Sequence, residues 1–95
     1  MSVVILGGNE CMERKYSDMC KEYGCSAKVF CKPCAKIRDR VGAPDLVILF
    51  TNTVSHKVVR TVVDNLDKDT MLVRSHSSSM ASLQRILRDS VEPAV

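Results

Sequence analysis

Two histidines, a glutamate and a dense set of hydroxyls stand where apolar runs give way to polar clusters. The clusters are Gly7-Gly8-Asn9-Glu10, Thr51-Asn52-Thr53-Val54-Ser55-His56 and Ser75-His76-Ser77-Ser78-Ser79. Each directly follows residues of β type. In a parallel α/β sheet the segments leaving the carboxyl ends of the strands share one rim, and ligands settle where chain direction across the sheet reverses. Candidate ligand-binding residues are therefore Gly7, Gly8, Asn9, Asn52, Thr53, Ser55, His56, His76, Ser77, Ser78 and Ser79. His56 falls in the first turn of an expected helix, where the positive potential favours neutral imidazole, a form that ligates metal or accepts a proton. Thr53 and Ser55 offer hydroxyls beside helix amides, a chemistry suited to an anion or a carbonyl oxygen. The plain alternative is that one of them only caps the helix and His56 is a surface residue. In the serine cluster one residue has to cap the last helix, and the others have no evident structural duty. Arg74, just before it, suits a carboxylate or phosphate if it faces the rim, and water if it lies on a strand edge.

Cys31-Lys32-Pro33-Cys34 follows another β-type run, and its spacing fits two chemistries. As a redox dithiol, Cys31 attacks and Cys34 resolves, with the thiol activated at a helix amino end as in thioredoxin-like proteins. That likeness is confined to the motif: no tryptophan precedes it, and Pro44 is too close to serve as the usual opposing proline. As half of a zinc site the pair needs two further ligands. There is no second Cys-x-x-Cys, and Cys11 is the sensible third donor. The candidate metal ligands are Cys11, Cys31, Cys34, His56 and His76, not all at once, with zinc, iron or haem iron as the metal. Cys20, in an apolar stripe, and Cys25, expected at the opposite rim, read as ordinary buried or semi-buried thiols. The sequence has no Gly-x-Ser-x-Gly elbow, Walker A loop or full dinucleotide fingerprint, so no catalytic residue is assigned outside the redox alternative of Cys31 and Cys34.

The positioning elements follow from periodicity. Ser2 to Leu6 is a continuous aliphatic run, as in a strand covered on both faces. After Gly7-Gly8, Asn9 is placed to cap a helix in which Met12, Tyr16, Met19, Cys20 and Tyr23 share one side and Gly24 is the stop. Ala27 to Phe30 reads as a second strand, then a short helix carrying Ile37 and Val41, ended by Gly42-Ala43-Pro44. Asp45 to Phe50 is the clearest strand. Beyond it Val54, Val58, Val59, Val62, Val63 and Leu66 recur at helical spacing despite their β propensity. Thr70 to Arg74 gives a fourth strand, and Met80, Leu83, Ile86 and Leu87 a fourth helix. The unit βα repeated four times predicts a small Rossmann-like, doubly wound α/β fold: a four-stranded parallel sheet of order 2-1-3-4 with helices on both faces. Val47, Ile48, Leu49, Val59, Val63 and Leu83 are its expected core. One domain spans residues 1–91, with 92–95 a frayed tail.

The chain has 95 residues, 45% hydrophobic and 26% charged, which fits one thin-cored globular domain. No apolar run reaches the roughly 18 residues of a membrane span, and the start lacks a basic leader, so a cytoplasmic location is expected. Five cysteines without a secretory signal argue for reduced thiols. The net charge of +3 gathers partly in Lys28, Lys32, Lys36, Arg38 and Arg40. With no aromatic residue interleaved to stack on bases, a solvated face is favoured over nucleic-acid binding.

The segments Val3-Val4-Ile5-Leu6-Gly7-Gly8, Met12-Glu13 with Tyr16, Pro44 through Lys57, and Arg74 through Ser79 resemble the bacterial domain-of-unknown-function family DUF2325. The match runs over nearly the whole chain, and Thr-Asn-Thr-Val-Ser-His-Lys is its most specific part. The resemblance implies a compact Rossmann-like domain of largely bacterial, cytoplasmic proteins whose signature positions are the same rim residues. Cys31 to Cys34 departs from that family's usual pattern. The expectation is a small non-enzymatic sensor or regulatory domain that binds a ligand, metal or haem at the rim, as a homodimer. A thiol-disulfide protein and an anion- or nucleotide-binding module are the alternatives.

Overall fold

The computed structural model describes residues 1–31, 40–64, 66 and 68–91. Their elements are β1 (Ser2–Leu6), a single 3-10 turn (Glu10–Met12), α1 (Glu13–Glu22), β2 (Ser26–Phe30), β3 (Leu46–Phe50), α2 (His56–Val63), β4 (Met71–Ser75) and α3 (Met80–Val91). All strand pairs are parallel and the four-stranded sheet has the order β2-β1-β3-β4, as the βα alternation predicts. Ile5 of β1 lies between Val29 of β2 and Ile48 of β3, which in turn faces Val73 of β4.

Side-chain alternation along the two central strands divides the core into two layers. On one face Val3, Ile5, Leu46, Ile48 and Phe50 meet Tyr16 and Cys20 of α1 and Leu83 and Leu87 of α3. On the other, Val4, Leu6, Val47 and Leu49 meet Val62 of α2 and Val41. Every residue of β3 is buried, which is why its sequence reads as an unbroken apolar run rather than an alternating one.

Helical periodicity overrides β propensity in α2, where six apolar residues were expected on one stripe. Val62 is buried as that stripe requires. Val59 and Val63, expected in the core, are only half-buried. The reason is the edge of the sheet: beyond β3 this layer has only Leu72 of β4, itself half-buried, and α2 leaves a groove above that strand. Element boundaries also differ, β2 starting at Ser26, β3 at Leu46 and β4 at Met71, each one residue from expectation. Asn9 caps the 3-10 turn rather than α1, its side chain accepting a bond from the Cys11 amide at 2.9 Å. β4 runs on to Ser75, because the Thr51 amide donates to the Ser75 carbonyl at 2.8 Å and extends the ladder. Gly24, with φ 74°, ends α1 as expected. Ile37 and the tail 92–95 lie outside the described residues.

The difference between the two layers is measurable. Leu83→Ala, in the closed layer, should lower unfolding stability by about 2–5 kcal/mol in urea titrations. Val59→Ala, beside the groove, should cost distinctly less.

Candidate functional site

The rim segments do converge, and the chain's own side chains tie them together. Gly7 and Gly8 both have left-handed backbones, with φ 94° and 91°. A β-carbon at Gly7 would lie 2.7 Å from Thr53 Oγ1, and one at Gly8 would lie 2.7 Å from the Tyr16 ring, so both positions need glycine for space as well as for conformation. The Gly8 amide donates to Thr53 Oγ1 at 2.6 Å, and that hydroxyl donates in turn to the Phe50 carbonyl at 3.1 Å. Thr53 thus bolts the turn after β1 to the turn after β3, at the point where the sheet order reverses.

Tyr16 ties the third segment in. Its ring packs tilted against Phe50 at 5.4 Å, and its hydroxyl donates to the Ser78 carbonyl at 2.7 Å while accepting from the Asn9 amide at 3.3 Å. Sequence periodicity placed this residue in an apolar stripe and missed the hydroxyl, whose only signal was tyrosine rather than phenylalanine one helical turn after Met12.

The serines organise one another. Ser75 Oγ donates to the Ser77 carbonyl at 2.7 Å, and Ser77 Oγ accepts from the Ser79 amide at 3.3 Å and lies 3.1 Å from Ser79 Oγ. Ser79 Oγ accepts from the Ser82 amide at 3.2 Å, which makes Ser79 the cap of α3. Ser55 likewise caps α2 by accepting from the Val58 amide at 3.3 Å. Asn52 and His76 are exposed on their loops.

Beside these braced loops, α2 and β4 enclose a groove of about 700 Å³. His56, Lys57, Arg60 and Arg74 line it, with Thr51 at the rim, the half-buried Val54, Val59 and Val63 along its apolar wall, and Asp64 as its acidic residue. His56 and Arg74, distant in sequence, are brought to one cavity. His76 is not among the lining residues. What the groove offers chemically is several cationic donors over a partly apolar floor, an arrangement suited to an anionic group.

The thiols are spread out. Cys11 is exposed, Cys20 and Cys25 are buried as expected, and Cys31 is half-buried with Sγ 3.7 Å from the Asn9 carbonyl oxygen. Cys34 lies outside the described residues. Burial, then the nearby Glu13 and Glu10, raise the Cys31 thiol above its ordinary value, the direction opposite to that of an activated thiolate. Burial, with Cys25 second, pushes Cys20 up to about 11. Among the described residues no three His, Cys, Asp or Glu side chains gather as a metal-holding group, and no helix is long and apolar enough to cross a membrane.

Compared with models of protein families, residues 2–90 match one described as an uncharacterized protein conserved in bacteria. Searches among curated proteins and solved structures return no significant match.

Two thiol measurements follow. Iodoacetamide labelling read by mass spectrometry should modify Cys11 first, Cys31 more slowly, and Cys20 only after unfolding. Because the folded Cys20 thiol is held near 11 against 9.0 when unperturbed, its contribution to stability is fully present below pH 9.0 and is lost as pH rises toward 11. Denaturation midpoints measured across that interval should fall less steeply in Cys20→Ala, relative to that variant's own neutral-pH value.

Proposed function

We propose that this chain, which belongs to the DUF2325 family, is a small ligand-binding regulatory domain whose ligand is an anion seated in the α2–β4 groove. The observation that supports it is the convergence of His56, Lys57, Arg60 and Arg74 on one cavity, with Asp64 the acidic residue among the described residues that line it. The ligand class is a small phosphate- or carboxylate-bearing molecule, with Arg60 and Arg74 as the charge-assisted donors. Val54, Val59 and Val63 give an apolar wall against which the rest of such a molecule packs. A cytoplasmic location fits this role.

The anion reading is preferred to metal or haem ligation because the groove assembles cationic side chains, whereas the candidate ligands Cys11, Cys31, His56 and His76 form no donor group among the described residues. Gly7, Gly8, Asn9, Thr53, Ser55, Ser77 and Ser79 then act on the ligand indirectly, holding the loops that leave β1, β3 and β4 and lead into α1, α2 and α3. A redox role for Cys31 with Cys34 remains a separate proposal, tested by whether oxidised protein contains a reversible Cys31–Cys34 disulfide.

Isothermal titration with pyrophosphate tests the site. Binding should weaken with added salt, and Arg60→Gln or Arg74→Gln should each weaken it about tenfold, the equivalent of losing about 1.5 kcal/mol from a charged hydrogen bond. Unchanged affinity in both variants would reject the groove as the site.

A further inference from the structure

Among the described residues β4 pairs only with β3 and is an edge of the sheet. The Met71 amide donates to the Asp45 carbonyl at 2.9 Å and the Thr51 amide to the Ser75 carbonyl at 2.8 Å, so Met71, Val73 and Ser75 turn their backbone groups toward β3. By alternation, Leu72 and Arg74 point their amides and carbonyls outward. Edges of this kind are commonly guarded by proline, bulges or several charges. β4 contains no proline, and Arg74 is its one charge.

The side chains show a direction as well. Leu72 belongs to the layer under α2 and Val73 to the opposite layer, so Arg74 falls on the α2 side, where it lines the groove. After a right-handed crossover α2 runs against β4. Along the groove Lys57 and Arg74 stand toward the rim end, and Asp64 stands at the other, one helical turn beyond Arg60.

We propose that the outer edge of β4 pairs antiparallel with β4 of a second copy, on a two-fold axis at Leu72, joining two four-stranded sheets into one of eight. This inference does not rest on anion binding. Only a two-fold axis passing through a residue keeps the hydrogen-bonding alternation the same in both strands, which restricts the choice within β4's apolar stretch to Met71, Leu72 or Val73. An axis at Met71 would set Arg74 against the partner's Lys68, and one at Val73 would set it against the partner's Leu72. At Leu72 the same residue meets itself, Met71 meets the partner's Val73, and Arg74 meets the partner's Thr70. Each Arg74 is then carried toward Asp64 at the far end of the other copy's groove. That charge complementarity selects a second copy of this chain as the occupant. Met71, 44% exposed, is covered by the same pairing.

Sedimentation of the whole chain in phosphate-free buffer tests the interface. A concentration-dependent dimer is expected. Arg74→Glu and Asp64→Arg should each raise its dissociation constant about tenfold or more, and combining the two reversals should recover most of the loss. Independently, Leu72→Cys should oxidise to a disulfide joining the substituted positions of two copies, since a directly opposed pair places alpha carbons at about 5.5 Å. Circular dichroism confirms that each variant is folded. A monomer from low to high micromolar concentration would overturn the proposal. So would a dimer that ignores both charge reversals, or folded Leu72→Cys protein that never forms that link.

Discussion

The hydroxyl of Thr53 is the small interaction on which the placement of everything at the rim depends. It accepts from the Gly8 amide and donates to the Phe50 carbonyl, binding the ends of β1 and β3 at the point where the sheet reverses direction. In open α/β folds that crevice is where ligands commonly lie. Here the glycine turn has left-handed geometry that leaves no space for a β-carbon, and its amides are already paired, Gly7 with the Phe30 carbonyl, Gly8 with Thr53 and Asn9 with Tyr16. In the proposed reading the ligand is displaced sideways, into the groove between α2 and β4.

That displacement connects packing with chemistry. An internal strand such as β3 is covered on both faces, but an edge strand supports the helix above it over less than its width. In α2 only Val62 is buried, and Val58, Val59 and Val63 are left half-covered. The incomplete packing costs hydrophobic stabilisation locally and creates an apolar wall beside Arg60 and Arg74. On the opposite face of the sheet Tyr16 completes the rim: its ring fills the space below Gly8 and its hydroxyl fastens the loop after β4.

The sheet order and the sidedness of the helices were legible because their signals are local and strong. Leu46 to Phe50 is too continuous for an amphipathic strand, and the valines of α2 recur at helical spacing whatever their propensity. The rim as a meeting place of three loops was legible too, since parallel topology dictates it. The roles within it were not. A hydroxyl that fastens a loop and one that contacts a ligand look alike in sequence, so Ser77 and Ser79 read as candidates when they cap and brace α3. Arg60 passed unremarked because a lone arginine on a helix face ordinarily meets water, and Val59 and Val63 read as core because periodicity reports which side faces the sheet, not how far the sheet extends.

The most direct measurement is a proton–nitrogen correlation NMR titration of the isotopically labelled chain with pyrophosphate, in which each backbone amide reports its own surroundings. A ligand in the groove predicts saturable shifts centred on Thr51, His56 to Thr61 and Arg74, with Gly7 to Asn9 nearly unmoved behind the Thr53 bolt. Shifts centred on Gly7, Gly8 and Asn9, with Arg60 and Arg74 silent, would place the ligand at the switch point and contradict the account.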